Sequence, residues 1–329
     1  MRKKAVALIS GGNDSVLAAK IAMDMGIEIH GLFINTIFFT GRKSERIDKI
    51  FEIAKVIKIP LSVLDCGREY LKVLRKPKFG YGRNFNPCID CHIFFLQKAK
   101  QFLSFVDADF IVSGEVAGQR PMSQNIHTLN RIDKNAGVKG LVLRPLSGKI
   151  LEATEMEKQG IISRDDLLEI SGRSRSAQKD LIKEYRLKIK AHSGGGCMLT
   201  DPVFSKKISD YFEHYKTDNY GHINLLNVGR HFRLNQNLKL IIGRNEQENN
   251  EIERYKELGD IIFPEYEIPG PSGLLIGEYT EQDVEKAAKI VSRYCDGKGE
   301  KGIIFKTGKE TKTINADELP DQEIEKVRI

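Results

Sequence analysis

Residues 7–20 read Ala-Leu-Ile-Ser-Gly-Gly-Asn-Asp-Ser-Val-Leu-Ala-Ala-Lys, and this stretch constrains the fold more than any other. An apolar run from Ala5 stops at Ser10, and a helical pattern runs from Asp14 to Met25, where Gly26 ends it. A plain turn needs about one glycine, so the polar groups of Ser10-Gly11-Gly12-Asn13-Asp14-Ser15 are aimed at a ligand. A glycine-rich strand-to-helix turn presents backbone N–H groups and a helix N-terminus, a geometry that favours phosphates. The spacing is neither Gly-x-x-x-x-Gly-Lys-Ser/Thr nor Gly-x-Gly-x-x-Gly, so the Walker loop and the dinucleotide fingerprint are both excluded.

The strand-helix alternation continues. Strands are expected over Ile29–Asn35, Leu61–Leu64, Phe110–Ser113 and Leu141–Leu146, and helices over Lys43–Ile57 and Phe94–Phe105. Apolar strands alternating with helices predict a doubly wound, mostly parallel α/β sheet covered on both faces. Ligands in such sheets sit beyond the carboxyl ends of the strands, where Ser10, Gly114 and Pro145 fall. Residues 153–187 read as helical and highly charged. After about residue 205 the style changes to a smaller α+β domain, with strands at Leu238–Ile242 and Ser272–Ile276 and helices at Gln247–Leu258 and Glu281–Tyr294. The expected domains are 1–205 and 206–329.

The Ser-Gly-Gly-Asn-Asp-Ser turn resembles the PP-loop of the ATP pyrophosphatase superfamily, which has a HUP-type adenine nucleotide-binding fold. The resemblance implies cleavage of ATP between its α and β phosphates and activation of a substrate oxygen with the AMP half. Gly11 and Gly12 let the backbone approach the pyrophosphate, and Ser10 and Ser15 offer hydroxyls. Asn13 completes the turn. Asp14 suits Mg²⁺ better than phosphate, since a bare carboxylate repels phosphate. Asp14 is also the expected catalytic residue of the turn.

Cysteine chemistry narrows the substrate. Asn86-Pro87-Cys88-Ile89-Asp90-Cys91-His92 places two thiols three residues apart at a helix start, and Cys197 follows three glycines in His192-Ser193-Gly194-Gly195-Gly196. By residue type alone these thiols suit zinc completed by His92 or His192, a persulfide-carrying catalytic pair, or an iron–sulfur cluster. A Cys-x-x-Cys pair plus a distant cysteine on a PP-loop domain resembles the cluster-dependent tRNA thiolation enzymes. That resemblance implies that Cys88, Cys91 and Cys197 hold a 4Fe–4S cluster, with Zn²⁺ as the alternative metal. Ser113-Gly114-Glu115, Gly118-Gln119-Arg120 and Ser123-Gln124 resemble the 4-thiouridine synthase catalytic domain, which adds Gly114 and Gln119 to the expected ATP-binding residues. Cys66 and Cys295 read as buried and inert.

In the second domain, Lys239-Leu240-Ile241-Ile242-Gly243-Arg244-Asn245 resembles the RNA-binding domain of NFACT proteins. Arg230, Arg233, Lys239 and Arg244 are expected to contact phosphates, with His231 and Phe232 as stacking faces. The net charge of +7 over 329 residues suits an anionic partner. The five cysteines are an odd number in a long chain, and the basic start Met1-Arg2-Lys3-Lys4 leads into a strand rather than a signal peptide. A cytoplasmic protein with reduced thiols is expected, with no membrane span; a homodimer is compatible with the sequence.

These features point to a tRNA sulfurtransferase that adenylates a uridine carbonyl oxygen and exchanges it for sulfur from sulfide or a carrier. Two other readings compete. One is a PP-loop ligase that forms an amide or nitrile on a small molecule and holds structural zinc. The other is a non-enzymatic RNA-binding protein with a vestigial nucleotide loop.

Overall fold

The computed structural model describes residues 3–36, 38, 43–188, 197–308 and 310–329. The chain divides into two compact units, Met1–Leu199 and Thr200–Ile329.

The first unit opens with β1 (Lys4–Leu8), α1 (Asn13–Asp24), β2 (Glu28–Asn35), α2 (Lys43–Ile57), β3 (Leu61–Asp65) and α3 (Gly67–Arg75). It continues with α4 (Cys88–Leu103), β4 (Phe110–Val112), α5 (Ile126–Ala136), β5 (Val142–Leu143), α6 (Glu155–Lys158) and α7 (Ser176–Glu184). The strands form one sheet in the order β3-β2-β1-β4-β5, and every pair is parallel. Ala5, Val6 and Ala7 of the central strand are fully buried, as a strand covered on both faces requires. Helix α1 covers the sheet with small residues, Ala18, Ala19 and Ala22, which let it approach closely. Gly26, at φ +76°, ends it. Strand order reverses between β1 and β4, so the crevice beyond their carboxyl ends is the switch point where ligands of such sheets sit.

The charged stretch 153–187 departs from the helical expectation. Only α6 and α7 are α-helical there. Gly160 and Gly172 break the segment at positive φ. Between them the chain makes a 3-10 turn at Arg164–Asp166 and then runs extended, with Leu168 N–H bonded to the Pro145 carbonyl, Ile170 to Leu146 and Gly172 to Ala117. That course buries Ile162 and Leu167 against the first unit's core. Helix α4 begins at Cys88, six residues before the expected Phe94.

The second unit contains α8 (Pro202–His214), α9 (Tyr220–Leu225), β6 (Arg230–Asn235), β7 (Leu238–Ile242) and α10 (Glu246–Glu253). β8 (Asp260–Pro264), β9 (Gly273–Gly277), α11 (Glu281–Arg293), β10 (Lys301–Thr307), β11 (Glu310–Ala316) and α12 (Asp321–Val327) complete it. Its six strands form an antiparallel sheet in the order β11-β10-β8-β9-β7-β6. Helix α11 buries Val284, Ala287, Ala288, Ile290 and Val291 in the core that this sheet shares. Among the described residues no helix is long and apolar enough to cross a membrane.

Candidate active site

The turn after β1 is closed on itself. The Ser15 hydroxyl donates to the Gly12 carbonyl at 2.8 Å and accepts from the Ser10 N–H at 3.2 Å and the Ser10 hydroxyl at 3.3 Å. Gly11 needs its φ of +82°, and a Cβ there would also stand 2.7 Å from Ile50 Cδ1. Helix α1 starts with Gly12 as N-cap and no side chain on its leading N–H groups. Those donors and the positive end of the helix dipole remain for an anion. Gly114, just beyond β4, lies against this helix start. A Cβ there would stand 2.5 Å from Ser15 N and 2.6 Å from both Asp14 C and Ser15 Cα. Its role is to let the two strand exits meet.

Asp14 is anchored. Its Oδ2 accepts from Gln119 Nε2 at 2.7 Å, and Gln119 Oε1 accepts from Gln178 Nε2 at 2.8 Å. The structure thus joins the expected Asp14 and Gln119 and adds Gln178, on α7. Gln178 was missed because its neighbours Arg175, Lys179 and Asp180 make the segment read as a solvated helix face. Gln178 Oε1, Gln124 Oε1 and Ser123 Oγ are buried with no hydrogen-bond partner.

The three expected cysteines lie in this same unit, around Tyr70. Burial pushes the Tyr70 hydroxyl well up, and a bond to Cys91 together with the charges of Cys91, Cys197 and Cys88 adds to the rise. The Cys91 thiol is likewise pushed up by burial and by Cys197 and Cys88, against its bond to Tyr70 and the charge of Arg120. Asn86 Nδ2 donates to Cys88 Sγ at 3.1 Å. Among the described residues, no group of three His, Cys, Asp or Glu side chains stands close enough to hold a metal ion. His192 and the glycines before Cys197 lie outside the described residues. Cys66 and Cys295 are buried, and burial pushes each thiol up to about 11.

A buried ion network backs this site. His92 Nδ1 pairs with Glu115 Oε1. Glu115 Oε2 accepts from Arg144 Nε at 2.9 Å, and Arg144 grips Asp133 with two further bonds of 2.7 and 2.8 Å. Burial alone would raise the Glu115 carboxyl; Arg144 and His92 outweigh it and hold it down at about 2. Asp133 is raised, since its burial outweighs Arg144. In a zinc site only His92 Nε2 would be left for the metal. The network was legible only in Glu115, because Arg144 and Asp133 meet it from separate strands and helices.

In the second unit, two of the four cations expected to contact RNA are engaged inside the fold. Arg233 and Lys239 both bind Asp210, at 2.8 and 2.7 Å. Lys239 is only 4% exposed, so its ammonium is spent inside the fold. His231 and Phe232 are buried at 1% and 0% exposure and offer no stacking face. Arg244 pairs with Glu248, and Arg230 lies over the Tyr294 ring at 4.6 Å.

A parallel sheet with a Ser-Gly-Gly-Asn-Asp-Ser turn at its switch point is an α/β domain similar in layout to those of the PP-loop kind. Residues 1–164 match the family described as thiamine biosynthesis protein (ThiI), and residues 229–328 match the NFACT protein RNA binding domain. The first unit is related in sequence to tRNA thiolation enzymes. A tRNA-specific 2-thiouridylase MnmA from Listeria monocytogenes is 26% identical over 214 residues, covering 62% of this chain and 54% of its own. A probable tRNA sulfurtransferase from Alkaliphilus metalliredigens is 29% identical over 150 residues, covering 44% and 35%. The chain thus spans about half and about a third of the lengths of these curated relatives. A solved 4-thiouridine synthetase–RNA complex with bound ATP aligns with 21% identity and a TM-score of 0.41, over 68% of this chain and 51% of that one.

Proposed function

We propose that the protein is an ATP-dependent tRNA thiolation enzyme whose chemistry resides in the first unit. One observation carries the reading: the unit that builds the Ser10–Ser15 turn also gathers Cys88, Cys91 and Cys197 around Tyr70. The vestigial-loop reading does not account for that pairing, and the small-molecule ligase reading gives no role to residues 229–328, which match an RNA binding domain.

In the first step the uridine carbonyl oxygen attacks the α-phosphorus of ATP. A new O–P bond forms, the bond to the β-phosphate breaks, pyrophosphate leaves, and the proton on the adjacent ring nitrogen passes to solvent. The α1 N–H groups receive the pyrophosphate charge, joined by the Ser10 and Ser15 hydroxyls once these rotate away from their bonds within the turn. Asp14, held by Gln119, would hold Mg²⁺ through its carboxylate, and the ion would supply neutralising charge at the phosphates. In the second step a hydrosulfide-class nucleophile attacks the activated carbon. A C–S bond forms, the C–O bond breaks, AMP departs with the oxygen, and the sulfhydryl proton returns to the base nitrogen. The thiolates of Cys88, Cys91 and Cys197 suit a soft metal centre in kind, with Asn86 and Tyr70 hydrogen-bonded to two of the sulfurs. A 4Fe–4S cluster held by them would supply an iron with an open coordination position.

The test uses protein purified without oxygen, with unmodified tRNA transcript, ATP and sulfide. Thiouridine should appear with AMP and pyrophosphate in equal amounts, and Asp14→Ala should abolish both. Each of Cys88→Ala, Cys91→Ala and Cys197→Ala should lose thiolation together with bound iron and acid-labile sulfide. Cys66→Ala and Cys295→Ala should retain them. Release of ADP and orthophosphate, or thiolation that survives loss of Cys88, refutes the proposal.

A further inference from the structure

The charge of this protein is partitioned unevenly. Residues 1–199 carry 33 Lys and Arg against 21 Asp and Glu, a formal charge of +12. Residues 200–329 carry 19 against 24, a formal charge of −5. The unit that matches an RNA-binding domain is therefore acidic. Many of its cations are also engaged internally: Arg233 and Lys239 on Asp210, Arg244 on Glu248, Arg293 on Asp321 and Lys301 on Glu318. RNA affinity comes largely from cations that neutralise phosphates, and a cation already paired has little left to offer.

Residues 70–89 of the first unit have the opposite character. They hold five cations (Lys72, Arg75, Lys76, Lys78 and Arg83) and no carboxylate, with Phe79, Tyr81 and Phe85 interleaved. Lys76, Lys78 and Arg83 are exposed, and so are Arg120 and Arg131 nearby. Among the described residues none of these five is ion-paired to a carboxylate. The loop is built rather than loose. The buried Asp90 carboxylate accepts from the Lys78 and Phe79 N–H groups at 2.8 and 3.0 Å. The Tyr81 hydroxyl donates to the Leu74 carbonyl, and its ring packs on Phe85 with centroids 4.2 Å apart. Lys78 and Arg131 stand over the Phe79 ring at 5.3 and 5.9 Å. The loop ends at Asn86, whose amide donates to Cys88 Sγ. Arg120 lies within electrostatic reach of Cys91.

We propose that residues 76–85, with Arg120 and Arg131, form the surface that grips the RNA backbone. In this arrangement cations take phosphates and Tyr81, 37% exposed, offers a face to an unpaired base beside the cysteines. This rests on the reading that RNA is the substrate. It assigns the electrostatic grip to the first unit and leaves to the second unit at most contacts that do not depend on phosphate charge. The alternative basic stretch, 164–188, is interrupted by Asp165, Asp166, Glu169, Asp180 and Glu184, so its field is mixed.

The test measures binding of labelled unmodified tRNA transcript to the full chain across salt concentrations. The loop variant combines Lys76→Gln, Arg83→Gln and Arg131→Gln. The control combines Arg230→Gln, Arg244→Gln and Arg254→Gln. Three lost contacts to a single strand, at ~0.7 each, should lower the salt slope by about 2 and the affinity about a hundredfold at 0.1 M salt. Tyr81→Leu should weaken binding about tenfold with the slope unchanged. The control should bind as wild type, and all variants should retain ATP binding. If the control loses affinity and slope while the loop variant keeps both, the grip lies in the second unit and the inference falls, leaving the proposed activity intact. If wild-type protein shows no salt-dependent tRNA binding, the reading of RNA as substrate falls and takes the inference with it.

Discussion

Gly114→Ala tests the geometry of the switch point with a single carbon. The added Cβ would stand 2.5–2.6 Å from three backbone atoms of Asp14 and Ser15, whereas carbon contacts settle at about 3.5–4.0 Å. No side chain can swing away, because the obstacle is backbone at the first turn of α1. Relief therefore requires a relative shift of ~1 Å between the exit of β4 and the start of α1. Overpacking of this kind costs about 1–3 kcal/mol in stability. A 1 Å misplacement of groups that orient a reacting phosphate costs about 10²-fold in rate. Thermal unfolding and ATP–pyrophosphate exchange, measured on the same preparation, separate the two effects. The expected result is a folded variant, with its midpoint down by roughly 2–12 °C, and exchange lowered about 10²-fold. A folded variant with wild-type exchange would refute the claim that the β4 exit sets the position of the phosphate-binding turn.

Two further outcomes follow from buried charge. Arg144→Ala strands the Glu115 and Asp133 carboxylates without their shared cation, which should cost about 3–5 kcal/mol and appear as a fall in unfolding midpoint; an unshifted midpoint would show that the network contributes nothing. Burial lowers the Lys207 ammonium to about 8, with Arg244 and Lys239 adding to the effect. Below pH 8 this lysine is charged in both folded and unfolded chains, so the penalty of burying it is fully present. The penalty is relieved as pH rises from 8 towards the unfolded value of 10.5, so stability against denaturant should rise over that window, and Lys207→Met should flatten the rise.

The parallel sheet was legible because its strands are short, mostly apolar runs separated by helical patterns and closed by glycine, proline or a polar turn. Helix α3 escaped notice because Arg68, Lys72 and Arg75 obscure a narrow buried face made of Tyr70, Leu71 and Leu74. Residues 153–187 misled for the converse reason: charges at helical spacing flank apolar residues that are buried by an extended course. At the site, the turn from Ser10 to Ser15 and the Cys-x-x-Cys pair are local and could be read directly. Tyr70, Gln178, Arg144 and Asp133 reach the site from separate elements, and nothing in their own neighbourhoods marks them. Arg233 and Lys239 looked free in sequence because their partner, Asp210, lies on α8, more than twenty residues earlier.

The chain of amides leading to Asp14 has a direction. Gln178 donates to Gln119, 59 residues earlier, and Gln119 donates to Asp14, 105 residues earlier still. An ionised carboxylate has no proton to return, so neither amide can turn over without placing oxygen against oxygen. Each carbonyl is thereby fixed in orientation by an anion it does not touch. The buried Gln178 Oε1, which has no partner, is obliged to remain an acceptor. Any group packed opposite it must bring a proton of its own, so the polarity of this buried spot is written at Asp14.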